Sequence, residues 1–175
     1  MMIASPHVKG DEDWKEEQDF FFEQNGSHLR TRVTYDNSTL TIHPSTIKKT
    51  NIATKNIKVF GSNNIDIRVS LKQETEVVHV DPCVNTTLVR IKQHRRFVTD
   101  SEAWAFDFAM TWSGKTKTEA EESQSCKDPE FEVECELIDT KKELAVRSDR
   151  YIALSLLLKM KDLLSGEKFA FVTDG

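Results

Sequence analysis

The chain has 175 residues, 38% hydrophobic and 30% charged, with a formal net charge of −5. That length suits one domain with its own core, and the acidic balance excludes a surface that attracts nucleic acid everywhere; such a partner needs a local basic site. Cys83, Cys126 and Cys135 are dispersed, with no C-x-x-C, which excludes a disulfide framework or a cysteine-rich zinc site and fits a reducing compartment.

Residues 1–10 hold no apolar signal core, and no apolar run approaches membrane-spanning length, so neither secretion nor a membrane partner is expected. The sequons at Asn25, Asn37 and Asn85 are then chance matches. Residues 11–19 (DEDWKEEQD) read as an acidic lead-in, Phe20-Phe21-Phe22 as a short strand, and Asn25-Gly26 as a tight turn. Residues 29–36 alternate, with Leu29, Thr31, Val33 and Tyr35 on one face and Arg30, Arg32 and Thr34 on the other. Leu40 and Ile42 belong to the returning strand. The basic stretch 47–60 fits helix or strand equally, and Gly61 to Asn64 turn the chain.

Residues 65–74 alternate again, setting Ile65, Ile67, Val69 and Leu71 against Asp66, Arg68, Ser70, Lys72 and Glu74. In 88–98, Arg90, Lys92, His94 and Arg96 share a face opposite Val89, Ile91 and Phe97; His94 alone reads as a solvated strand residue. In 103–112, Trp104, Phe106, Phe108, Met110 and Trp112 form an apolar packing face, and Ala105, Asp107 and Ala109 the other. Residues 113–130 read as a polar connection; Ser113 to Thr116 resemble a phosphate loop, but Ala109 stands where that motif needs glycine. In 131–138 (FEVECELI), Glu132, Glu134 and Glu136 line one strand face and Cys135 lies on the other. A single long helix is predicted over 141–164, ended near Gly166. The resulting division is an acidic lead-in over 1–19, a domain over 20–165 and a tail over 166–175.

Many short strands with turn signals predict a mainly β, antiparallel fold, and the helix packs outside it. Three glutamates on one face repel one another, so they are either a solvated edge or compensated by a cation or by facing bases. Charge of both signs recurs on the second face of at least five strands. A barrel of about eight strands with a charged interior accounts for that, and such a barrel can hold a small ligand. Arg32, Arg68, Lys92 and Arg96, with Lys48 or Lys49, make a basic sector; Glu74, Asp107, Glu132, Glu134 and Glu136 make an acidic one. A polyanion with a divalent cation satisfies both, and the arrangement allows phosphoanhydride hydrolysis.

These residues carry a resemblance. FEVECEL (131–137), RVTYD (32–36), DIRVSLKQE (66–74), VRIKQHRRF (89–97) and WAFDFAMTWSGKT (104–116) occur in the order of the metal-dependent RNA 5′-triphosphatases of the triphosphate tunnel family, the mRNA-capping type of fungi, protists and large DNA viruses. The chain resembles that family from about Phe20 to Leu164. The resemblance implies a triphosphate tunnel that removes the γ-phosphate from RNA with Mg²⁺ or Mn²⁺. It assigns the triphosphate to Arg32, Lys48, Arg68, Lys92 and Arg96, the metal to Glu132, Glu134 and Glu136, and a positioning role to Glu74. Glu134 would orient the attacking water, and Asp107 a water or a neighbouring base. It implies RNA 5′ ends and an RNA guanylyltransferase as partners, and a nuclear or viral-factory location.

The family's early glutamate pair has no match upstream of Arg32: Glu12, Glu16, Glu17 and Glu23 are not set in an alternating strand. Ala105 stands where an arginine is usual, and His94 where a second base is expected. Two alternatives therefore stand beside RNA triphosphatase activity: a tunnel enzyme acting on nucleotides or inorganic triphosphate, and a non-catalytic barrel that binds RNA, polyphosphate or a capping partner.

Overall fold

The computed structural model describes residues 8–10, 13–36, 41–58, 66–78, 86–99 and 103–163. Leu40, Ile65, Leu164, the 61–64 turn and the 166–175 tail lie outside them. The strands are β1 (Val8–Gly10), β2 (Lys15–Gln24), β3 (Ser27–Asp36), β4 (Thr41–Lys58), β5 (Asp66–Glu76), β6 (Thr86–Thr99), β7 (Trp104–Gly114) and β8 (Glu130–Leu137). The helices are α1 (Lys117–Cys126), α2 (Thr140–Val146) and α3 (Asp149–Leu163). All described strand pairs are antiparallel, in the order β5-β4-β3-β2-β6-β7-β8, with β1 extending the lane of β2 along β6. Asn25 and Gly26 (φ 50° and 69°) close the β2–β3 hairpin, as their sequence required.

Two faces separate by parity. On one, Phe20, Phe22, Leu29, Val33, Val89, Ile91 and Trp112 make the core, and α1 seals it with Ala120, which is fully buried. Thr31 and Thr46 satisfy each other there at 2.8 Å. The cover is thus α1, inside the stretch read as a connection. Its apolar signal is weak because only Ala120 and Ser123 are buried, but its cap is plain: Thr116 accepts from the Glu119 N–H, and the Glu119 carboxylate accepts from the Lys115 N–H. The long helix expected over 141–164 is two helices. The chain is extended at Arg147, and the Ser148 hydroxyl accepts from the Tyr151 N–H to start α3. From outside the sheet, α3 sets Lys159 over the Trp104 ring at 5.2 Å.

The other face is charged. Glu134 on β8 acts electrostatically on Arg32 on β3, four strand spacings away, which is about 19 Å across a flat sheet. The sheet therefore curls, and the charged face is the concave side of a half-barrel whose edges, among the described residues, are β5 and β8. The stretch 47–60, undecided in sequence, is strand: β4 pairs with β3 as far as Lys48 and continues with β5 to Lys58 as a two-stranded ribbon.

Candidate active site

Three strands supply the bases. Arg30 and Arg32 alternate on β3; Arg90, Lys92, His94 and Arg96 alternate on β6; Lys49 follows the inward residue Ile47 on β4. The inward residues of β7 are small apart from Asp107: Ala105, Ala109 and Thr111 are buried and short. Long β6 side chains therefore cross over β7 and meet the glutamates of β8. Arg90 pairs with Glu132 (3.4 Å), Lys92 with Glu134 (3.3 Å) and Arg96 with Glu136. Ala105, where an arginine was expected, makes room for the last of these pairs.

On the opposite flank, β2 carries Glu17 and Asp19 on the concave face, both buried. Asp19 accepts from Arg32 Nε (2.7 Å) and Nη2 (2.9 Å), with Arg30 at 3.7 Å. Glu17 meets Arg32 Nη1 at 2.8 Å and His94 Nε2 at 3.4 Å. β2 thus brings an acidic pair to this face from inside the stretch read as lead-in. The Phe20-Phe21-Phe22 run hides the alternation; Glu17-x-Asp19 immediately ahead of it was the available signal.

His94 is not solvated. It is buried at the centre, with Nδ1 3.3 Å from Asp107 Oδ1 and Nε2 facing Glu17. Those two carboxylates, Asp107 first, outweigh burial and push its pKa up to about 9. Burial opposes the charge of Asp107, but His94 and Arg96 hold its carboxyl below the usual range; the Arg96 contact is 2.5 Å. Burial likewise opposes Glu17 and Asp19. The His94 contact and Arg32 lower Glu17, and Arg32 lowers Asp19. Arg32 itself stays charged more firmly than a free guanidinium, because Asp19 outweighs its desolvation.

Two expected ligands stand elsewhere. Lys48 pairs with Leu29 across the ladder and so lies on the outer face; Lys49 faces inward and binds Glu74 at 2.7 Å. Arg68 shares the inward parity of Glu74, but it is exposed in the β4–β5 ribbon, about 20 Å along the strand. Arg30 and Arg90 join the site instead, and each has a buried Nε without a hydrogen-bond partner. Orphaned guanidinium donors over a concave basic face suit an anion.

The family follows from a further observation: the model for "mRNA capping enzyme, beta chain" matches residues 3–152. The chain belongs to this family. The match spans β1 to the start of α3, so it takes in every strand that builds the site, including β2. No curated protein matches the chain. The fold is similar to the Pct1 RNA triphosphatase of S. pombe (TM-score 0.54, 17% identity over 78% of this chain and 47% of that one). It is also similar to Pct1 in complex with the Spt5 CTD (TM-score 0.60, 15% identity, 93% and 59%). The chain therefore spans about half the length of the solved relatives it matches. The antiparallel tunnel-type fold of this capping family, read from FEVECEL and its companion motifs, is borne out.

Proposed function

We propose that this chain is an RNA 5′-triphosphatase that removes the γ-phosphate in the first step of mRNA capping. The observation that carries the reading is the concave face, where Arg90, Lys92 and Arg96 on β6 lie between the carboxylates of β2 and those of β8, and Arg30 and Arg32 on β3 flank the β2 pair from the other side. The fit to a divalent cation is chemical: Glu17, Asp19, Glu134 and Glu136 are all oxygen donors, as Mg²⁺ or Mn²⁺ requires. Among the described residues no three such groups already converge, because each is engaged by a base. A triphosphate resolves this by drawing the bases to its oxygens and freeing the carboxylates. Glu17, Asp19, Glu134 and Glu136 would then hold the cation, with Glu132 at the rim beside Arg90. When bound, the cation supplies charge neutralisation on the transferred phosphoryl group.

Arg32 and Lys92, with Arg30, Arg90 and Arg96, clamp phosphate oxygens, while Glu134 accepts a hydrogen bond from the attacking water and orients it. Asp107 fixes Arg96, and Glu74 fixes Lys49. An RNA guanylyltransferase is the partner that uses the diphosphate end. A peptide like the Spt5 CTD is a further partner to test, and a nucleus or viral factory is the matching location. The experiment is release of labelled γ-phosphate from triphosphate RNA with Mg²⁺ or Mn²⁺, with ATP and inorganic triphosphate in parallel. Glu134→Gln is expected to lower kcat at least 100-fold, in the range of a lost catalytic group. The full base pairing of the carboxylates favours one rival, a barrel that binds triphosphate without turnover; multiple turnover excludes it.

A further inference from the structure

His94 is a buried ring between two carboxylates on the charged face, and the proposed chemistry gives it no part. It stands on the central strand β6. Its neighbours in register are Lys15 on β2 and Ala109 on β7. Ala109, 4% exposed, leaves the space that the ring fills. Each ring nitrogen has one acidic neighbour: Asp107 Oδ1 at 3.3 Å from Nδ1 and Glu17 Oε1 at 3.4 Å from Nε2. Asp107 is anchored in turn by Arg96 at 2.5 Å. Arg96, Asp107, His94 and Glu17 thus form a chain across three strands, from the β8 side of the face to β2. The last link is an ion pair without hydrogen-bond alignment, since Nε2 has no aligned acceptor.

We propose that His94 is a positioning residue for Glu17. Braced through Nδ1 by Asp107, it holds Oε1 of Glu17 with Nε2, and so turns Oε2 toward Arg32 and the middle of the face. This rests on the reading that Glu17 serves the triphosphate and its cation. The direction of the brace matters: the fixed end is Asp107 and the working end is Glu17. An imidazole suits the task because its two nitrogens sit on opposite sides of one rigid plane, and each faces one of the two carboxylates. A lysine would present a single mobile head.

The two amide replacements separate the two ends. In His94→Asn the amide nitrogen stands near the position of Nδ1 and keeps only the Asp107 contact. In His94→Gln it reaches the position of Nε2 and keeps the Glu17 contact. The readouts are the ¹³Cδ resonance of Glu17 at neutral pH and steady-state kcat and KM on triphosphate RNA with Mn²⁺, with thermal melts to confirm folding. His94→Asn is expected to shift the Glu17 resonance and lower kcat roughly 10- to 100-fold at little-changed KM, the scale of a misplaced catalytic group. His94→Gln should stay within a few-fold of the parent in both. If the wild type proves inactive while the resonance still follows this order, the proposed activity fails and the brace stands. Equal behaviour of the two variants, or a larger loss in His94→Gln, overturns the assignment and leaves His94 as a packing residue for Asp107.

Discussion

At the scale of single residues, the buried charges make stability depend on pH with a definite sign. His94 binds its proton more tightly in the folded state, with a pKa of about 9 against 6.5 when free. Its contribution is therefore complete below about pH 6.5 and is lost as pH rises through about 9. At about 1.4 kcal/mol per pK unit, the rise from 6.5 to about 9 bounds it at about 3.5 kcal/mol. Glu17, Asp19 and Asp107 run the other way. Their folded-state pKa values are depressed, so their contribution is present above about pH 4.5 and fades on acidification. Urea unfolding across pH 3–10 should thus show greatest stability between about pH 4.5 and 6.5. His94→Asn should flatten the alkaline limb and leave the acid limb in place. Asp19 gives a second expectation. It is 3% exposed and takes two hydrogen bonds from Arg32, so Asp19→Asn leaves that guanidinium with Glu17 alone of its two paired acids. The loss should be about 3 kcal/mol by chemical denaturation, the usual cost of breaking a buried pair. An unchanged midpoint would mean that Glu17, already 2.8 Å from Arg32 Nη1, suffices as its counter-charge.

At the scale of elements, the β7–α1 junction holds the outer core in place. A Cβ on Gly114 would stand 2.5 Å from the Ala120 backbone nitrogen and 2.6 Å from Glu119 Cβ. Most of what it meets is backbone, so α1 would have to move off Val89 and Ile91. Gly114→Ala should cost about 1–3 kcal/mol, the range for overpacking, and Thr116→Ala about 1 kcal/mol for the lost cap. Thermal melts of the two variants check the order. The same junction shows what a sequence can and cannot reveal. β3, β6, β7 and β8 were legible because one face of each is apolar or small and the other charged, a period that only a strand supports. β2 was half legible, since three consecutive phenylalanines give no period and mask the Glu17-x-Asp19 alternation. α1 carries no apolar stripe, because it covers the core with an alanine, so only its cap could betray it. Lys48 and Lys49 are adjacent and point to opposite faces; choosing between them needs the register against β3. Arg68 has the right parity, but parity says nothing of how far along a ribbon a residue lies.

At the scale of the whole molecule, the proposed reading requires a chain of net charge −5 to hold a polyanion with a local site. Repulsion from the rest of the surface is screened beyond about 8 Å at physiological salt, so the concave face decides binding. On that face bases and carboxylates neutralise each other across β6, β7 and β8 and again across β2 and β3. Either ligand alone must break these pairs and leave the other sign exposed. A triphosphate that takes Arg32 and Lys92 abandons Glu17, Asp19 and Glu134; a cation that takes the acids abandons the bases. The second ligand then finds its groups already released. Binding of triphosphate and of Mn²⁺ should therefore be coupled, each raising the affinity of the other. A coupling of about 1–3 kcal/mol corresponds to a factor of roughly 5–150. Calorimetric titration with tripolyphosphate, at several fixed free Mn²⁺ concentrations and corrected for the complex the two form in solution, measures it directly. Glu134→Gln should shrink the factor, because Lys92 is then unpaired from the start and triphosphate no longer has to release it. A factor near one in the parent would mean that these ion pairs persist in the complex, and that the acids and bases of the face act on different ligands or at different times.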